Sequence, residues 1–147
     1  MHAETLCYLM HWLPLSAKRL VAPPTPDPRP APPPSTLEIP GGRVTLGRSH
    51  GFGWDNEFHE QSVEVPAFRV DRYKISNGAY LKFVREGGPV PEFWIPQPSG
   101  DFHLRCMFGE IPLPLSWPVY TTFDNASAYA RWVNRSIFGE IAFHRCA

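Results

Sequence analysis

The chain has 147 residues, its 14 Lys+Arg balance 14 Asp+Glu, and 14% of it is aromatic. That length suits one modest domain, and the balanced charge provides no basic field for a polyanion, which argues against nucleic acid as a partner. The three cysteines, Cys7, Cys106 and Cys146, are odd in number and lack CxxC spacing, so neither a disulfide framework nor a zinc knuckle is expected and a reducing, cytoplasmic compartment fits.

The opening stretch, "MHAETLCYLMHWLP", admits three readings: a cleavable signal peptide, an amphipathic helix, or the tail of a metal-binding motif. A signal peptide needs a basic start and a clean apolar core. Here Glu4 precedes the apolar stretch, His11 and Pro14 interrupt it, and Lys18 and Arg19 follow it. No run approaches the ~20 apolar residues of a membrane span, so no membrane association is expected. Leu6, Leu9, Met10 and Leu13 recur at helical spacing and Pro14 ends the pattern. A lone helix of this length is marginal in water, and its packing partners are expected to be missing from the chain.

From Val21 to Pro40 lies half of the chain's 18 prolines. Proline removes amide donors and restricts the residue before it, so an extended, polyproline-like connector is expected over 21–36. The segment contains PxxP cores of the kind read by SH3-type domains, but a spacer is the favoured reading.

Beyond the connector, "GGRVTLG" and "QSVEVPAFRVDRYKIS" alternate apolar and polar residues as half-buried strands do, with a long turn, "SHGFGWDNE", between them. "SNGAYLKFVREGG" reads as a helix with Ser76 or Asn77 as its N-cap and Gly87 as its stop. "DNASAYARWVNRS" reads as a second helix, capped by Asp124 or Asn125. Roughly 35 residues rich in Pro, Gly and aromatics separate the two with little periodicity. The fold class is therefore α+β with long irregular loops.

The segment from Ile39 to Gly88 resembles the N-terminal part of a formylglycine-generating-enzyme-like (sulfatase-modifying-factor, C-type-lectin-related) domain. It is most similar to the branch found in iron(II)-dependent sulfoxide and selenoxide synthases of ergothioneine and selenoneine biosynthesis. The resemblance is carried by Ile39-Pro40-Gly41-Gly42, Gly53-Trp54-Asp55-Asn56-Glu57, Pro66 to Tyr73, and Asn77-Gly78-Ala79-Tyr80-Leu81, and "MFGEIPLPLSWPVYTTFDNASAYARW" continues it in order. In this family a DinB-like four-helix bundle precedes the catalytic domain and carries an HxxxHxE pattern on one helix. "MHAETL" resembles the second half of that pattern, with His2 matching its second histidine and Glu4 its acidic residue. Three facial histidines with open positions suit an iron(II) that binds oxygen and a thiol together.

The resemblance implies a fragment shortened at both ends: residues 1–20 as the terminal helix of a DinB-like bundle, 21–36 as a Pro-rich linker, and 37–147 as a partial sulfatase-modifying-factor-like domain. At its far end "RWVNRSIFGEIAFHRCA" keeps Arg131, Trp132, Glu140, Phe143, His144 and Arg145 of the family pattern, whereas Ile137-Phe138-Gly139 departs from it. His2 is then one member of an incomplete metal site. Iron(II) is the cofactor of the full-length family, with none expected on the fragment, and no catalytic residue is assigned within it. The implied small-molecule partners are thiols or selenols and trimethylhistidine-type substrates. An incomplete domain is expected to leave Phe68, Tyr80, Phe83 and Trp132 poorly packed.

The remaining constellations carry less. "GRSHGFG" lacks the spacing of a phosphate loop, and His50, His59, His103 and His144 are scattered. Trp54, Asp55, Asn56 and Glu57 are expected to be structural, with Asp55 and Glu57 fixing their loop by hydrogen bonds to backbone amides. Cys106 has no identifiable base, so a buried structural thiol is expected. The alternative to an enzyme fragment is a non-catalytic binding or interaction module.

Overall fold

The computed structural model describes residues 2–19 and 21–147. In chain order the elements are α1 (His2–Trp12), a 3₁₀ turn (Leu15–Ala17), β1 (Thr36–Ile39), β2 (Gly42–Leu46), a second 3₁₀ turn (Asp55–Glu57), β3 (Gln61–Val65) and β4 (Phe68–Asp71). There follow α2 (Asn77–Arg85), β5 (Trp94–Pro96), β6 (Phe102–Arg105), β7 (Glu110–Pro112), α3 (Phe123–Trp132) and α4 (Glu140–Cys146). Two compact units result: one from the chain up to Pro32 with Lys74–Asn134, the other from Pro33–Tyr73 with Arg135–Ala147.

The first unit is built around α2, whose two ends are set by local chemistry. Ser76 is the N-cap, its Oγ accepting from the amide of Ala79 at 3.2 Å. At the other end the amide of Gly87 donates to Val84 O at 3.0 Å and that of Gly88 to Phe83 O at 2.9 Å, the paired bonds of a Schellman stop. Gly87 sits at φ +96°, a conformation that glycine adopts without steric cost. Asn77 is not the cap. Its side chain is buried, and Nδ2 donates to Pro114 O at 2.9 Å while its main-chain N–H reaches Trp117 O at 2.7 Å. This pins the start of α2 to the 114–117 segment.

One face of α2 carries the core. Tyr80 (1% exposed) packs edge-on to Phe83 and Trp94 at 5.5 and 5.9 Å between ring centroids and stacks on Tyr129 of α3 at 5.2 Å. Tyr80 and Phe83 (8% exposed) are therefore well packed, against expectation, because α3 and the 94–104 region supply their cover within this chain. Phe68 is half-buried, while Trp132 stays 39% exposed and donates from Nε1 to Glu86 Oε2 at 3.0 Å.

The stretch between the helices, expected to be irregular, contains an antiparallel sheet in the order β5-β6-β7. Its registers pair Trp94 with Leu104 and Leu104 with Ile111. Strands this short, two of them ending in proline, leave too few alternations for a period of two to register. The cap of α3 also differs from expectation. Thr122, rather than Asp124 or Asn125, starts the helix, its Oγ1 accepting from the amide of Asn125 at 3.3 Å.

The second unit is a pair of antiparallel ladders broken at matching points. β1 pairs with β4 from Thr36↔Asp71 to Ile39↔Phe68, and β2 pairs with β3 from Gly42↔Val65 to Leu46↔Gln61. Pro40-Gly41 on one arm and Pro66-Ala67 on the other interrupt them, since proline cannot donate to a ladder. Cross-strand ion pairs Glu38–Arg69 and Arg43–Glu64 lie directly opposite one another but exposed, so each is worth about 1 kcal/mol or less. α4 packs on β2 and β3. The Arg145 guanidinium crosses Gly42, where a Cβ would come within 3.0 Å of Nη2.

Thr122→Ala is expected to destabilise the fold by about 1 kcal/mol in urea unfolding, with Asp124→Ala costing only a few tenths through the helix dipole. Equal losses would restore Asp124 as the cap. Burial pushes the phenol of Tyr80 up, offset in part by the neighbouring Thr121 side chain. Stability from the neutral ring is complete below the ordinary phenol range of about 10 and is lost as pH rises through the higher folded-state value. The melting temperature is thus expected to hold to about pH 9 and fall above pH 10, less steeply in Tyr80→Phe.

Candidate functional site

His2 is the first residue of α1 and is exposed, as is Glu4. Two positions apart on a helix, they do not face each other. His103 lies on β6, and His144 on α4 sits 3.8 Å from Glu140. Among the described residues no three His, Cys, Asp or Glu side chains gather as a metal site would require. The chemistry of an iron(II) centre needs about three protein ligands, so the described residues do not by themselves fit one.

The Trp54–Glu57 loop is held mainly through its backbone. The carbonyl of Glu57 accepts from the Arg48 amide at 2.9 Å, Glu57 N donates to Trp54 O at 2.9 Å, and the Arg48 guanidinium donates to Phe52 O. Glu57 also pairs with Arg48 at 3.8 Å, and its carboxylate passes so close to Gly53 that a Cβ there would lie 2.7 Å from Oε2. The expectation that carboxylates grip backbone amides is thus replaced by main-chain bonds and one ion pair. Asp55 and Asn56 are exposed. So are Phe52 and Trp54, 84% and 56%, which meet edge to face at 6.2 Å.

The most closely knit polar cluster of the first unit lies elsewhere, at the C-terminal end of α1. His11 stacks on Phe93 at 3.9 Å with 8° between the planes, and Tyr120 flanks both rings, 5.4 Å from Phe93 and 5.9 Å from His11 between centroids. Nε2 of His11 donates to Arg105 O at 2.9 Å. In return Arg105 Nη2 donates to the carbonyls of His11, Trp12 and Leu13 at 3.1, 3.2 and 2.6 Å, with its guanidinium 5.7 Å from the Phe93 ring centre. Lys18 Nζ takes the preceding carbonyl, that of Met10, at 3.0 Å. Two cations therefore satisfy the carbonyls that a helix end leaves open, where the macrodipole is negative. The expected absence of packing partners for α1 is corrected at its last turn, although Leu6, Leu9 and Met10 along it and Leu13 just after it remain exposed.

The sequence pattern does not mark this cluster: His11 interrupts an apolar run, and Arg105 is an isolated cation next to Cys106. Nothing in a linear pattern joins residues 94 positions apart.

Cys106 is half-buried beside this cluster, and burial pushes its thiol up. This agrees with a structural thiol, because the thiolate is the nucleophilic form.

With the geometry in place, comparison with known proteins decides the family. A sulfatase-modifying factor enzyme 1-like domain matches residues 22–145. This chain belongs to that family. The α+β class and the domain type read from the sequence both stand. Among relatives of the sulfatase-modifying-factor-like chain, Hercynine oxygenase of Mycolicibacterium smegmatis is 30% identical over 84% of this chain and 34% of its own length. Ergothioneine biosynthesis protein 1 of Schizosaccharomyces pombe is 35% identical over 54% of this chain and 11% of its own length. Formylglycine-generating enzyme of Bos taurus is 35% identical over 46% of this chain and 18% of its own length. The chain thus spans about a third or less of the length of the curated relatives quoted. Among the described residues no helix is long and apolar enough to cross a membrane.

Timed alkylation with mass spectrometry at pH 7.5 is expected to label exposed Cys7 and Cys146 first and Cys106 at least tenfold more slowly. If Cys106 were labelled fastest, it would be an activated thiol instead.

Proposed function

We propose that this chain is part of a non-heme iron(II), oxygen-dependent sulfoxide or selenoxide synthase of the ergothioneine/selenoneine type, inactive on its own. The observation that carries this reading is the similarity to Hercynine oxygenase across 84% of the chain, supported by that to Ergothioneine biosynthesis protein 1. On this reading α1, within 1–20, closes a DinB-like bundle. Residues 21–36 link it to the 37–147 portion of the sulfatase-modifying-factor-like domain, and the protein works in the cytoplasm.

His2, at the exposed start of α1, is proposed as one iron ligand, with Glu4 two positions on. Iron(II), when bound, supplies the oxygen and redox chemistry that joins a thiol or selenol to trimethylhistidine. The rest of the ligand set belongs to the whole protein, since the described residues do not assemble one. What this chain contributes is scaffold: α2 and α3 enclosing the Tyr80 core, and the Arg48–Glu57 pair shaping the Trp54–Glu57 loop. The second reading, a non-catalytic binding module, draws on that same lack of a gathered ligand set.

Iron titration and oxygen uptake separate the two. The whole protein is expected to bind about one iron(II) and to consume oxygen only when thiol and trimethylhistidine are both present. His2→Ala is expected to cut iron affinity at least tenfold through loss of one of about three ligands. The 147-residue chain alone is expected to show no turnover. A whole protein that neither retains iron nor consumes oxygen would favour the binding module.

A further inference from the structure

The cluster at the end of α1 describes an attachment of unusual form. α1 contributes no buried residue along its length, and at its last turn it is bound reciprocally to Arg105. The core of Tyr80, Phe83, Trp94 and Tyr129, by contrast, is assembled without any α1 side chain. An element with no buried residue and no side chain in the core has the features of a low-stability, independently opening unit.

We infer that α1 is a strap on the sulfatase-modifying-factor-like fold, latched by Arg105 and His11, and that it opens as a unit while the core stays folded. The latch is reciprocal: Arg105 side chain to α1 carbonyls, His11 side chain to the Arg105 carbonyl. One guanidinium therefore accounts for three of the contacts, and a flat His11–Phe93 stack for much of the rest. Release of the strap uncovers Phe93, only 3% exposed when latched, next to the Arg105 guanidinium and Tyr120. A flat aromatic face beside a fixed cation then becomes accessible. The inference does not depend on iron chemistry and concerns α1 within the 147-residue chain.

Native-state hydrogen exchange on the full 147-residue chain tests it. The amides of residues 6–12 are expected to exchange at least tenfold faster than those of α2 and α3, with little dependence on low urea. Arg105→Ala is expected to speed them by a further factor of about thirty, as loss of charge-assisted hydrogen bonds implies, leaving α2 and α3 unchanged. Arg105→Lys retains the charge but not the fork and is expected to fall between; it serves as the probe if Arg105→Ala fails to fold. His11→Ala is expected to act like Arg105→Ala through loss of the stack. The inference is overturned if α1 exchanges at the same rate and with the same urea dependence as α2 and α3. It is equally overturned if Arg105 substitutions accelerate all three helices alike or leave α1 untouched.

Discussion

The ring of Tyr80 touches Phe83 from its own helix, Trp94 from β5 and Tyr129 from α3, and its hydroxyl donates to Pro89 O at 3.2 Å. Each neighbour comes from a different element, so this one side chain fixes the spacing of α2, α3 and the small sheet together. The core is small and mostly aromatic, and aromatic pairs contribute about 0.5–1.5 kcal/mol each beyond the area they bury. The ends of α2 serve the same constraint. Asn77 ties the helix start to the Pro114 carbonyl, and Gly87 and Gly88 turn the chain back over the Phe83 ring.

A second level of organisation is laid over this core. Arg105, at the end of β6, turns to the open carbonyls of α1 and, with Lys18, satisfies acceptors that the helix itself leaves without partners. Crowding there lowers the Lys18 ammonium below its usual range, burial contributing most and the Arg105 charge adding to it. The amphipathic pattern of α1 would suggest that a helix is held by its apolar stripe. Here it is held by its carbonyls and one stacked imidazole, while the stripe stays exposed.

The second unit shows how proline and glycine shape a sheet. Prolines at 40 and 66 break both arms of what would otherwise be one long hairpin, and Gly41 allows the chain to pass within 3.2 Å of the Ala67 amide, measured from where a Cβ would stand. α4 closes over the result. Gly42 leaves the space through which Arg145 lies across β2.

By itself the sequence determined what is local or written in consecutive residues. It placed the helices around Tyr80 and Tyr129, the stop at Gly87, the strands on either side of the Trp54–Glu57 loop, and the family, whose motifs are contiguous strings. Short-range patterns are legible because helix periodicity, caps and turn residues act over a few positions. Tertiary structure alone decided that Thr122 rather than Asp124 caps α3 and that proline-edged triplets pair as a sheet. It also decided that Tyr80 and Phe83 find full cover within this chain, and that His11, Phe93, Arg105 and Tyr120 form one cluster. Those outcomes depend on which distant segments meet, and a hydrogen bond between residues 94 positions apart leaves no periodic trace in the chain that makes it.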